Sequence, residues 1–347
     1  MKYGFQNEVF SSKSPTSFSR GPLGKIIMRI IHNQILTIVL IMLSIFNTNA
    51  QQVKTLTKIE ISALYNKLYK SSEIDSIAWN GQKQKCLCGQ LQKDIYKKAE
   101  DRINFFRVAS GLNEVKLNPK FNLDAQNAAL LVKANNELTH YPTKEMKCYS
   151  KSAANGCLKS CLGFTDFANF HETSFITAFI QDFGEDNYFV GHRKWILYTK
   201  LIEFGYGATD NTEALLTADG ISNDSISAPE FIAYPWNGYV PINLIFPKWS
   251  FSIPENKIVD FSQATISMYD SKGKEIKTEK LKEYKNYLDH TIVWTAKGLF
   301  SDYDIQYGLN KLEENGFLDK KIKVLIRKVK IDGSFKQYEY FVEPFKI

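Results

Sequence analysis

Two histidines are the residues of this chain best suited to chemistry. His192 lies in VGHRKWIL, Val190 to Leu197, where a glycine precedes the imidazole and an arginine, a tryptophan and an aliphatic run follow it. His140 ends an LTH tripeptide 52 residues upstream, at the point where a helical pattern stops. Acidic residues lie between the two, so the pair reads as one polar site. Neutral imidazoles bind zinc well, and a carboxylate can complete the shell or act on bound water. Each residue also has a plainer reading. His192 would start a helix and bond a loop carbonyl, and His140 would sit at a helix end favoured by the dipole. Arg193 reads as paired with an acid, His171 and His290 as solvated loop residues, and Trp195, Trp236 and Trp249 as core. No HExxH, GxSxG or glycine-rich phosphate loop occurs, and cysteines consumed by bridging would not act as nucleophiles.

The elements that must position these imidazoles show in the periodicity. Ala99, Ile103, Phe106 and Val108 recur at helical spacing from Asp94 onward, with Gly111 where a helix end wants it. Asn118-Pro119 opens a second helix, lined by Leu123, Ala125, Ala128, Leu131, Val132, Ala134 and Leu138, with Tyr141-Pro142 stopping the chain just past His140. Residues 141–171 read as a long loop. A third helix is predicted from Ser174 to Phe183, burying Phe175, Ala178 and Phe179, and a glycine-containing strand over Phe204 to Ala208. Residues 51–91 read as a lead-in segment with a short helix around Ile61 to Tyr69. A polar stretch at 216–230 serves as a linker. Beyond it helical spacing gives way to alternation at Ala264 to Tyr269, Ile292 to Trp294 and Ile322 to Ile326. Asp332-Gly333 is a hairpin signal. Residues 231–347 are therefore expected to form a β-sandwich, and 92–215 a helix-rich domain, an α+β chain overall.

Residues 1–50 carry Arg20, Lys25 and Arg29 ahead of an apolar run, Ile35 to Phe46, and end in Asn-Thr-Asn-Ala. That is the pattern of a secretory signal cleaved after Ala50, the run being too short to span a bilayer. Met28 would make a more ordinary start for it. These fifty residues hold five of the basic residues against one acid, so the remainder is only mildly positive although the whole chain carries +7. No basic run interleaves with aromatics, which argues against nucleic acid. Aromatics at 14% and apolar residues at 44% are enough to fill two cores. All five cysteines, Cys86, Cys88, Cys148, Cys157 and Cys161, fall in the first half. In an exported chain they read as one or two disulfides plus an odd thiol, with Cys86 or Cys88 reaching the Cys148–Cys161 loop.

Three stretches taken together resemble the CAP superfamily of cysteine-rich secretory proteins, antigen 5 and pathogenesis-related proteins, in its bacterial exported form. They are RINFFRVASGLNEVKLNP (Arg102 to Pro119), AQNAALLVKANNELTHYP (Ala125 to Pro142) and FIQDFGEDNYFVGHRKWIL (Phe179 to Leu197), followed by FGYG. FIAYPWNGYVP and FPKWSFSIP are similar to the tail of some bacterial relatives. The resemblance implies an α-β-α sandwich with a cleft holding two histidines and two acids that can bind a divalent metal. His140 and His192 match the histidine positions. Asp182, with Glu185 as a substitute, matches one acid and Glu172 stands for the other, although the usual glycine-glutamate-asparagine setting is missing. The function this implies is a secreted or periplasmic, non-catalytic protein whose cleft binds a metal or small ligand, with a cell-surface or extracellular partner. A metal-dependent extracellular hydrolase and a structural or adhesive protein are the alternatives.

Overall fold

The computed structural model describes residues 55–164, 176–224, 226–307 and 310–347. The expected signal segment, His171, Glu172 and Phe175 lie outside them. Among the described residues no helix is long and apolar enough to cross a membrane.

The lead-in begins with α1 (Lys58–Leu64), whose Thr57 and Glu60 form a reciprocal cap, and continues as a wider turn through Tyr69. Ile61, Tyr65, Leu68 and Tyr69 are buried, so the segment is part of the core. Helix α2 (Lys93–Ala109) buries Ile95, Ala99, Ile103 and Phe106 on one face, and Gly111 (φ 78) follows its end. After β1 (Lys116–Leu117), Asn118 caps α3 (Pro119–Asn135) by accepting from the Lys120 N–H. That helix stops three residues earlier than the apolar pattern suggests. Asn136 takes the left-handed conformation at its C-terminus, which leaves Leu138 outside and exposed; Leu123 is exposed as well.

Residues 141–171 are not one loop. Ser150 caps α4 (Lys151–Lys159) through the Ala153 N–H, and β2 (Ser160–Phe164) follows directly. Its cysteine, lysine and asparagine content hid an amphipathic helix. The third expected helix is described only as α5 (Thr177–Gln181), ended by a left-handed Asp182, so Phe183 lies outside it and half exposed. Helix α6 (Gly191–Ile196) and strands β3 (Glu203–Ala208) and β4 (Thr212–Leu216) complete the first region.

Its sheet runs β1-β3-β4-β2, with β1 parallel to β3 and the other pairs antiparallel. Side chains of a strand alternate between faces. Ala214, Leu216 and Leu162 join α3 and α4 in one apolar cluster, whereas Leu215, Cys161, Phe204 and Tyr206 join α2, α5 and α6 in another. Two helical layers thus sandwich the sheet.

The C-terminal region adds β5 (Ile232–Tyr234), β6 (Gly238–Pro241), β7 (Lys248–Ile253), β8 (Val259–Asp260), β9 (Thr265–Tyr269), β10 (Glu275–Ile276), β11 (Glu279–Lys280), β12 (His290–Thr295), a short α7 (Asp302–Tyr307), β13 (Ile322–Ile331) and β14 (Ser334–Phe345). One sheet runs β10-β9-β13-β14-β6, with β8 also on β13; the other runs β11-β12-β7-β5. They pack face to face: the Trp294 indole donates to Met268 Sδ at 3.2 Å, and the Phe251 and Tyr338 rings lie 5.0 Å apart. The expected hairpin joins β13 to β14 through Asp332 and Gly333, both at positive φ. His290 is paired with Ile253 in the four-stranded sheet rather than in a loop. Trp249 and Trp236 are core residues, as read from the sequence, and Trp195 packs against the core. Cys86 bridges Cys148, while Cys88, Cys157 and Cys161 stay reduced, one disulfide and three thiols.

Candidate functional site

Helix α6 begins after Val190, whose side chain offers no acceptor for the helix's open N–H groups. Asp182 supplies one from the end of α5. Its Oδ2 accepts from the His192 and Arg193 amides at 3.0 and 3.3 Å, and its Oδ1 lies 2.9 Å from His192 Nδ1. The Asp182 side chain is wholly buried, whereas a quarter of the His192 side chain is exposed. An ionised carboxylate only accepts, so Nδ1 carries the proton, and Nε2 has no hydrogen-bond partner among the described residues. Burial alone would lower the imidazole's pKa; the charge and hydrogen bond of Asp182, with the charge of Glu213, outweigh it and raise the value. The Phe179 ring, 5.1 Å away, forms an apolar wall. Asp182 thus caps helix α6 and orients the imidazole of His192.

Below this pair lies Glu213 on β4, 1% exposed. Tyr206 Oη donates to its Oε2 at 3.0 Å. Burial pushes Glu213 up to about 7 against the Tyr206 hydrogen bond and the charges of His192 and Arg102, which pull it down. Buried Cys161 faces the same side, and burial, reinforced by the charges of Asp182 and Glu213, pushes its thiol well up. A thiol so placed is inert.

The other sequence candidates are placed differently. His140 is exposed, five residues past α3, with Nδ1 2.7 Å from the carbonyl of Cys157. That carbonyl belongs to α4, on the far layer of the sheet; no described contact joins His140 to His192. Glu185 is exposed in the turn before α6. Arg193 does not pair its guanidinium with an acid. It donates to the carbonyls of Ile180, Gln181 and Lys248 and to Ser250 Oγ, and lies over the Tyr234 ring. Lys248, which burial pulls down to about 8, donates to three carbonyls of the 182–187 turn.

A divalent metal does not fit the described donors. Among the described residues no group of three or more His, Cys, Asp or Glu side chains could hold one. Asp182 already receives three N–H groups, which leaves Nε2 of His192 as the pair's one open donor. Sequence reasoning missed Glu213, Tyr206 and Lys248. A signal for the first two existed: in FGYGA and TEALL, Tyr206 and Glu213 fall on one face of adjacent strands.

The family model of the cysteine-rich secretory protein family, CAP, matches residues 100–215. A solved extracellular protein containing an SCP domain, from Bacillus anthracis str. Ames, is similar at 15% identity and a TM-score of 0.25. The match covers 38% of this chain and 44% of that one, so the chain spans less than half of that relative's length. No curated protein matches. The stretch bearing Asp182, His192 and Glu213 is a CAP domain.

Proposed function

We propose that this chain is an exported, non-catalytic binding protein whose CAP domain receives a small ligand at Nε2 of His192. The observation that carries the reading is the Asp182–His192 pair. A buried carboxylate fixes the tautomer and leaves the second nitrogen of a partly exposed ring without a hydrogen-bond partner among the described residues. With the imidazole's pKa raised, Nε2 donates to an acidic or carbonyl head, while Phe179 offers a face for an apolar body. Among the described residues no hydroxyl or thiol is hydrogen-bonded to His192, the contact that activation of a side-chain nucleophile would need. The signal-like segment before Gln51 and the Cys86–Cys148 bridge both support an oxidising compartment outside the cytoplasm.

The test pairs ligand capture with turnover. A library of small acids and amphiphiles, presented to wild type and to His192→Ala, should yield a ligand held by the first and lost by the second. Hydrolysis of peptides or esters that His192→Ala abolishes would replace this reading with a hydrolase. Elemental analysis of wild type beside His140→Ala/His192→Ala checks the metal alternative; a stoichiometric metal lost in the double variant would restore it.

A further inference from the structure

The turn that carries Asp182 ends on a residue held against its local preference, Val190. Asp182 (φ 53) and Val190 (φ 48) both lie in the left-handed region, and Val190 is β-branched and fully buried. A β-branched residue there is an outlier, and such backbone persists only where its surroundings over-determine it. Here the surroundings are β7. Lys248 Nζ donates to the carbonyls of Asp182, Gly184 and Asn187 at 2.8, 2.6 and 2.9 Å, three protons for three acceptors. Arg193 answers in the other direction. Its guanidinium donates to Lys248 O at 3.0 Å and Ser250 Oγ at 3.2 Å, and also to Ile180 O and Gln181 O at 2.6 and 3.2 Å. The successive carbonyls 180, 181 and 182, which α5 leaves open at its end, are thus each taken by a cation that belongs to β7 or is bound to it.

We infer that Lys248 is a positioning residue of the candidate site: from the β-sandwich it fixes the 182–190 turn, and so sets the Asp182 carboxylate against His192 Nδ1. The inference takes the Asp182–His192 pair as the site but needs no ligand. Its test reads the pair directly, so loss of the ligand reading would leave it standing, and its own loss would leave the ligand reading standing.

The full chain is labelled with 15N-histidine, and the His192 ring is assigned by its disappearance in His192→Gln. Wild type should show a slowly exchanging Nδ1-bound proton. In Lys248→Gln that proton should exchange at least tenfold faster, as in Asp182→Asn, with Lys248→Arg recovering part of the protection. A Lys248→Gln protein with native near-ultraviolet circular dichroism and an unchanged His192 signal overturns the inference. If the variants do not fold, wild type labelled with 15N-lysine decides. A slowly exchanging ammonium in contact with the 182–187 amides supports the clamp, and a Lys248 ammonium exchanging as fast as surface lysines overturns it.

Discussion

The two faces of the CAP sheet are built on opposite principles, although the same strands supply both. Toward α3 and α4 the contact is dry and close. Ala125, Ala128, Ala129, Ala153 and Ala214 are wholly buried, and a Cβ on Gly207 would lie 2.2 Å from the Gln126 nitrogen. Toward α2, α5 and α6 the same sheet buries Arg102, Asp182, Arg193 and Glu213. Glu213 and Ala214 are neighbours in one strand. The dry face is packed by its own two helices and borrows from the lead-in only at its margin, where Gln126 donates to Cys88 O and Cys86 bridges Cys148. The charged face draws on the rest of the chain: Arg102 donates to Ser72 and Tyr69 of the lead-in, and Arg193 to Lys248 and Ser250 of the β-sandwich. A buried charge needs partners in fixed places, and a CAP domain that keeps several on one face depends on the segments flanking it.

That contrast is broken most directly at Arg193. Arg193→Met keeps apolar bulk but strands three carbonyls and a hydroxyl, each a buried acceptor costing about 1–3 kcal/mol when unmet. A loss of about 3 kcal/mol or more in urea unfolding is expected; a loss below about 1 kcal/mol would mean the charged face depends on the sandwich no more than the dry face does. The counterpart on the dry face is Gly207→Ala. Its methyl group must push α3 away from β3, at about 1–3 kcal/mol. Arg102 and Arg193 would keep their partners, so the His192 ring signals should not move.

Glu213 sharpens the comparison through pH. Its folded pKa of about 7 lies above the ordinary 4.5, so the folded chain keeps a proton that the unfolded chain gives up. Stability from this group therefore declines as pH rises from about 4.5 to about 7. His192 adds to the same trend. Its raised value means stabilisation that is full below 6.5 and lost as pH climbs through the folded pKa. Glu213→Gln should flatten the lower part of the profile, raise stability at pH 8 relative to wild type, and lower the His192 pKa by removing one nearby charge. Wild-type and Glu213→Gln denaturation curves that overlay from pH 4.5 to 8 would remove Glu213 from the site.

The dry face was the more legible of the two in the sequence. The alanine spacing of α3, the glycines of β3 and the Asn118-Pro119 start each act through local preference, and a local preference can be read from neighbouring residues. His192 and Asp182 were legible because they lie ten residues apart around one turn. Glu213 was obscured by its place in an apolar strand, where only the pairing of β3 with β4 shows which face it shares. Lys248 was further out of reach. Its three acceptors lie more than sixty positions away in the chain, and nothing in PKW distinguishes a buried lysine from a solvated one. Helix α4 was missed because a cysteine-bearing, polar stretch resembles a disulfide loop until Ser150 is seen to cap it.

The smallest expected effect belongs to the residue the sequence ranked among the highest. His140 is exposed and holds one carbonyl at the edge of the α3–α4 layer, whereas His192 is fixed by a buried acid on the opposite layer. If the layers divide the chemistry as their partners suggest, His140→Ala behaves as a surface substitution. It should change stability by no more than about 0.5 kcal/mol, leave the His192 Nδ1 proton protected and leave captured ligand in place. His192→Ala should keep the fold and release the ligand. Equal loss of ligand in both variants would show that the two imidazoles act together, and the division between a structural face and a binding face would have to be redrawn to put His140 on the binding side.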